Sequence, residues 1–239
     1  MADDPRDLVA TACRVLAAAG HGDLIWGHAS ARDEAGRGVW LKAASWGLEE
    51  VSRDRVHLID REGSILAGDG QRHSEYPIHT EIMAARSDVG GVVHVHSPHA
   101  VALAASGEPL RPVSHAANFF APHGVGRFTD TADLILTPEL GKAVAAQLGP
   151  CHGLFLVNHG IVTVGADVRT ATVAAVLLEM ACRQQLLTHG FGGWPSWSDP
   201  AESASKRHNI YPDHAVRAVW DYLVRTNGLN SPSRPGVTP

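Results

Sequence analysis

Long apolar runs are missing from this chain: none approaches the roughly 20 residues needed to cross a bilayer, so no membrane partner is expected. Cysteine is scarce and odd in number. Cys13, Cys151 and Cys182 are widely spaced and form no Cys-x-x-Cys pair, which argues against a disulfide framework and against a zinc knuckle. Clustered basic charge is missing as well. With 20 Lys and Arg against 25 Asp and Glu, the formal charge is −5, and no basic stripe offers a nucleic-acid footprint. Residues 1–7 carry three acids and lack the basic-then-apolar order of a secretory leader, so the expected location is the cytoplasm. No internal repeat or low-complexity block divides the chain. A single domain over residues 1–230 is expected, with a disordered tail at 231–239.

What is present fits an ordinary globular protein. Apolar residues make up 44% and charged residues 19% of 239, enough to bury a substantial core. Cys13 and Cys182 sit in apolar helical patterns and read as core residues. The anomaly is histidine, with 15 copies. Histidine is the commonest metal ligand and the usual proton carrier near neutrality, so its excess points to chemistry.

Helical spacing predicts helices over 7–19, 77–86, 98–106, 137–148, 168–188 and 212–226. Ser97-Pro98 and Thr137-Pro138-Glu139 carry the same start signal, a capping hydroxyl followed by proline in the first turn. Short apolar or alternating segments predict strands over 39–41, 55–59, 91–96, 153–157 and 161–165. The glycine-punctuated stretch around Gly22, Gly27, Gly36 and Gly38 reads as loop. Residues 190–212, rich in Gly, Pro, Trp and Ser, read as a loop or lid.

His94 and His96 lie two apart on a predicted strand. Residues i and i+2 of a strand share one face, so both imidazoles can reach one ion. By itself such a pair is equally a coincidence of surface or core. His159 sits in the turn Asn158-His159-Gly160 between two apolar strands, where a ring can project from a rigid scaffold, or simply be a turn histidine. Three histidines would leave positions open on a metal, the mark of a catalytic site. Glu75, just before a predicted helix, is a fourth ligand, a proton carrier or a capping carboxylate, and the residues alone leave these open.

Taken together, three strings are similar to the class II aldolase/adducin family: His73-Ser74-Glu75-Tyr76-Pro77-Ile78-His79, Val92-Val93-His94-Val95-His96 and Leu156-Val157-Asn158-His159-Gly160. The order and spacing match too, with His94 19 positions after Glu75 and His159 63 positions after His96, and the resemblance spans roughly residues 5–225. It implies an α/β fold: one three-layer α/β/α domain with a central, mainly antiparallel sheet. It implies a homotetramer with active sites between neighbouring subunits. His94, His96 and His159 become the ligands of one divalent metal ion per subunit, and Glu75 the acid/base that also approaches it. Zinc, manganese, cobalt and iron all suit that ligand set.

The chain departs from the family's sugar-phosphate aldolases. Those hold phosphate with a Gly-Asn-x-Ser segment, a Thr/Ser-Gly turn and a Ser-Ser pair. Here the same places read Gly27-His28-Ala29-Ser30, Ser45-Trp46-Gly47 and His73-Ser74. His28, Trp46 and His73 remove small donors and fill volume, and they suit a flat aromatic acid as small-molecule substrate. The segment Pro112-Val113-Ser114-His115 is similar to a stretch of the family's decarboxylase branch. The resemblance therefore implies a decarboxylase of a hydroxylated aromatic (di)carboxylic acid such as 3,4-dihydroxyphthalate. Glu75 or His115 would protonate the ring carbon, with His28, Trp46, His73, Ser74, Arg32 and Tyr211 around the substrate. Arg111 and Lys42 are looser candidates for a second carboxylate. His208 is a lid candidate, and His79 either orients the site or is a core histidine. The alternatives are a class II aldolase for a non-phosphorylated hydroxy-carbonyl substrate, a related epimerase or dehydratase, and a non-catalytic adducin-like scaffold.

Overall fold

The fold rests on one sheet, seen in a computed structural model that describes residues 4–192 and 196–229. Among the described residues eight strands build it: β1 (His28–Arg32), β2 (Val39–Lys42), β3 (Val56–Ile59), β4 (Ile65–Ala67), β5 (Gly91–Val95), β6 (Gly126–Phe128), β7 (Gly153–Leu156) and β8 (Gly160–Gly165). They lie in the order β4-β3-β2-β1-β5-β8-β7-β6, and all neighbours are antiparallel except β6 and β7.

Helices cover both faces, because every central strand is buried and must find apolar partners on each side. Val93 and Val95 of β5 and Ala29 and Ala31 of β1 face α1 (Pro5–Leu16), α6 (Val168–His189) and α8 (Asp213–Thr226). Val92, Leu154 and Val162 face the opposite layer, α2 (Tyr76–Ala85) and α5 (Pro138–Leu148). His94 and His28 therefore point to the α2 side, since side chains alternate along a strand. This is the expected three-layer α/β/α architecture with a mainly antiparallel sheet. No helix among the described residues is long and apolar enough to cross a membrane. The tail expected from residue 231 lies outside the described residues.

Several sequence expectations need correction. The first helix ends at Leu16, and one wider turn, Ala17–His21, carries the chain to Gly20 at φ 86. The glycine-rich loop hides β1. His28-Ala29-Ser30-Ala31-Arg32 does alternate polar and apolar residues, but it lacks β-branched residues and carries only alanine on its apolar face, so it is a weak strand signal among glycines. Within the expected loop or lid at 190–212, Pro200–Ile210 is helix α7, started by Asp199, whose carboxylate accepts from the Glu202 N–H. That start signal was present but was masked by the composition around it.

Close approach of α6 to β5 depends on Gly91, where a Cβ would stand 2.3 Å from the Val168 nitrogen. Gly91→Ala should lift the start of α6 from the sheet and cost about 2–3 kcal/mol, seen as a lower denaturant midpoint. An unchanged midpoint would contradict this packing.

Candidate metal centre

The sheet register brings distant histidines together. His28 on β1 is directly opposite His94 on β5, and β8 runs along the other side of β5. His96 follows immediately after β5, before Pro98 opens α3 (Pro98–Ser106). His159 occupies the two-strand turn where Asn158 adopts φ 59, a left-handed conformation that asparagine tolerates. Gly160 is needed beside it: a Cβ there would meet His96 Cδ2 at 2.7 Å and the Val95 carbonyl oxygen at 2.8 Å. The glycine thus lets the histidines of β5 close on the β7–β8 turn.

Hydrogen bonds fix which nitrogen of each ring is free. His94 Nδ1 lies 3.0 Å from the Ile161 carbonyl oxygen, which can only accept, so Nδ1 carries the proton. His96 Nδ1 donates in the same way to Asp23 Oδ2 at 2.9 Å. Both Nε2 atoms therefore hold lone pairs, and they face each other at 3.2 Å. His159 completes the group, with both ring nitrogens buried and without a hydrogen-bond partner among the described residues. Ligand atoms of His94, His96 and His159 all lie within 4.8 Å of one another, a set that could hold one metal ion. Converging ring nitrogens, with His94 and His96 anchored at their far sides, are the donor chemistry of a divalent metal site.

Glu75 stands at the centre. It occupies the N-cap position of α2 yet makes no capping bond with its side chain. Instead Oε1 accepts from the Ile135 N–H at 2.8 Å and lies 3.6 Å from His159 Nε2. Oε2 lies 3.8 Å from His94 Nε2 and 3.9 Å from His28 Nε2. The capping role left open by the sequence is thereby excluded. His28, Glu75 and His94 form a second group with metal-holding proximity. The His73 ring sits over His28 with centroids 3.8 Å apart.

Burial dominates the protonation states. It lowers His94 far below the ordinary histidine range, His159 to about 4 and His73 to about 3. Neutral imidazoles are what a metal requires. Burial also raises the Glu75 carboxyl, against a lowering pull from the Ile135 N–H. A carboxyl held this way is suited to carry a proton.

Other expected site residues lie elsewhere in the subunit. Ser74 is exposed beside Glu75. Trp46 is part-exposed and stacks under Arg55, whose guanidinium is 3.4 Å from the ring centroid. His115 is exposed at the start of α4 (His115–Asn118), and Tyr211 packs edge-on against Phe119 in the opposite layer. His208 is exposed on α7. Arg32 is a correction: its guanidinium donates to the carbonyls of Met83, Arg86 and Val89, at the opposite end of β1 from His28. Four residues of strand, about 13 Å, separate the two, so Arg32 anchors a turn away from the histidine cluster. Lys42 is buried and donates to the carbonyls of Ile25 and Ala43, and the Arg111 guanidinium lies over Trp197.

Sequence reasoning missed Asp23, which is 73 residues from its partner His96 and lies in a loop with no motif. It also left His79 undecided. His79 in fact joins Ser30 to His28 through two short hydrogen bonds.

A family model described as "Class II Aldolase and Adducin N-terminal domain" matches residues 7–186. The meiotically up-regulated gene 14 protein of Schizosaccharomyces pombe is 30% identical over 95% of this chain and 85% of its own length. The 3,4-dihydroxyphthalate decarboxylase of Terrabacter sp. (strain DBF63) is 30% identical over 93% of this chain and 97% of its own. Among solved structures, L-fuculose 1-phosphate aldolase from Glaciozyma antarctica PI12 superimposes with a TM-score of 0.82 at 21% identity, covering 96% of this chain and 92% of that one.

Asp23→Asn should weaken metal affinity about 10- to 100-fold in a chelator competition, because the His96 proton loses its anionic acceptor. Unchanged affinity would remove Asp23 from the centre. A pH effect follows from His21, held at about 4 by burial, and from His73 and His79, held at about 3. Unfolded histidines gain protons as pH falls through about 6.5 while these do not, so the unfolded state is favoured on acidification. The thermal midpoint of the metal-free protein should fall between pH 6.5 and 4, and a flat profile would contradict the buried, neutral assignment.

Proposed function

The chain belongs to the class II aldolase and adducin family, and from that premise we propose that it is a metal-dependent, non-oxidative decarboxylase of a hydroxylated aromatic carboxylic acid. The observation that carries the reading is the wall beside Glu75. The imidazoles of His28 and His73 pack at 3.8 Å where the family's sugar-phosphate enzymes need small polar residues. Similarity to a 3,4-dihydroxyphthalate decarboxylase along 93% of the chain supports the same direction.

His94, His96 and His159 would hold one divalent ion per subunit. When bound, such an ion supplies a Lewis acid that stabilises negative charge developing on substrate oxygens. The chain's own residues do the rest. The tilted pair of His28 and His73 rings would border an aromatic substrate and offer N–H donors to its carboxylate or phenolate oxygens. The bond between ring carbon and carboxylate breaks, carbon dioxide leaves, and the electron pair stays on the ring. Glu75, whose carboxyl is raised by burial, delivers the proton that replaces the carboxylate.

Ser74, exposed beside Glu75, would border the substrate pocket, and Trp46 would contribute from outside the histidine cluster. His115 and Tyr211 are remote from Glu75 within one subunit and would serve a neighbour's site in a homotetramer. Aldol cleavage of a non-phosphorylated substrate would use the same ligands and Glu75. The aromatic wall and the decarboxylase relative favour carbon dioxide release.

Protein loaded with one divalent metal should release carbon dioxide from an ortho-hydroxy aromatic carboxylate. Glu75→Gln should cut kcat about 100- to 10,000-fold while the metal content stays at one ion per chain. Full activity in that variant would remove Glu75 from the chemistry. No release from any such acid by metal-loaded protein would turn the reading to aldol cleavage.

A further inference from the structure

A buried polar chain runs behind the site, and its proton order can be read from its chemistry. Ser30 is fully buried on β1. Its hydroxyl lies 2.6 Å from His79 Nδ1, its one hydrogen-bond partner among the described residues. His79, on α2 and also fully buried, places Nε2 2.5 Å from His28 Nδ1. His28 Nε2 is buried without a hydrogen-bond partner among the described residues and lies 3.9 Å from Glu75 Oε2.

A hydroxyl always carries a hydrogen, and a buried one left undonated costs free energy. The Ser30 hydroxyl has one acceptor within reach, His79 Nδ1. The order that uses it places the chain's last N–H on His28 Nε2, 3.9 Å from the Glu75 carboxyl, whereas the reverse order strands the hydroxyl hydrogen with no acceptor among the described residues. The first order is favoured, with Nδ1 the unprotonated nitrogen of the neutral His79 ring. His79 then carries its proton on Nε2 and donates it to His28 Nδ1. His28 in turn carries its own proton on Nε2, the atom that faces Glu75. The order is therefore Ser30 O–H to His79, His79 N–H to His28, and His28 N–H into the site.

This order separates two groups that distance alone leaves equivalent. His28, Glu75 and His94 are as close together as His94, His96 and His159. His94 and His96 present Nε2 lone pairs, because the Ile161 carbonyl and Asp23 hold their protons on Nδ1. His28 presents the opposite face of the same chemistry, an N–H. We propose that Ser30 and His79 are positioning residues that lock His28 as an Nε2–H donor to an anionic substrate oxygen, and so keep it out of the metal's ligand set. This deepens the functional reading above and rests on it for the identity of the substrate.

The lock also fits the substrate class. A rigid N–H donor aimed into the site suits a carboxylate or phenolate oxygen. A second metal ion would instead need an unprotonated nitrogen at His28.

The test is nitrogen-15 NMR of histidine-labelled, zinc-loaded protein, with metal content measured on the same sample. His28 should show a protonated Nε2 and an unprotonated Nδ1, while His94 and His96 show protonated Nδ1. Ser30→Ala removes the hydroxyl that orders the chain. It should give a mixture of His28 tautomers and raise KM about tenfold, with zinc still at one per chain. His79→Gln can still accept from Ser30 and donate to His28, so it should keep the Nε2–H form where His79→Leu loses it. A metal-shifted, unprotonated His28 Nε2 would overturn the proposal, and so would a Ser30→Ala protein with unchanged tautomer and kinetics. The tautomer is read without turnover, so absence of decarboxylation would refute the functional reading and leave this result standing on its own.

Discussion

Two nitrogen lone pairs facing each other at 3.2 Å inside a protein repel, and the rest of the site is arranged around that conflict. The protons of His94 and His96 are held on the far sides of their rings by a carbonyl and a carboxylate, so neither ring can turn its neighbour into a hydrogen-bond acceptor. A divalent cation between them would relieve such an arrangement. His159 approaches the same point with both nitrogens unpartnered among the described residues, and burial keeps its ring neutral. Glu75 adds a carboxylate whose position is fixed by a backbone N–H and not by a helix cap.

The sheet provides the rigidity for this. Antiparallel pairing sets His28 opposite His94, and the β7–β8 turn returns His159 to the end of β5. Gly160 removes the Cβ that would keep the rings apart. The two layers then do different work. The α1–α6–α8 side is apolar along the strand ends, whereas the α2 side carries Glu75, His79 and the polar chain behind His28. The site therefore lies between the sheet and one helix start, with His28 and His94 on buried strands and His159 on the turn that joins β7 to β8.

How much of this the sequence revealed follows from how local each signal is. His94-x-His96 and Asn158-His159-Gly160 are legible because strand alternation and turn chemistry act over two or three residues. Individual strands and helices were legible from apolar runs and helical spacing, whereas the three-layer arrangement was implied only by the family resemblance. Asp23, Ser30 and His79 were not, since their meaning lies in contacts between residues 49 to 73 positions apart. The surroundings of Arg32 were hidden for the same reason. Its charge is visible in the sequence, but its position at the far end of β1 is a property of register. Helix α7 was hidden by glycine- and tryptophan-rich neighbours, although Asp199-Pro200-Ala201-Glu202 carries a start signal.

The central claim is that His94, His96 and His159 share one divalent ion, and X-ray absorption spectroscopy of zinc-loaded protein tests it most directly. The account predicts a first shell containing three imidazole nitrogens at about 2.0–2.1 Å, with the remaining positions filled by oxygen. Loss of one nitrogen in each of His94→Ala, His96→Ala and His159→Ala would complete the assignment. A shell with sulfur, or one with the same nitrogen count after those substitutions, would contradict it.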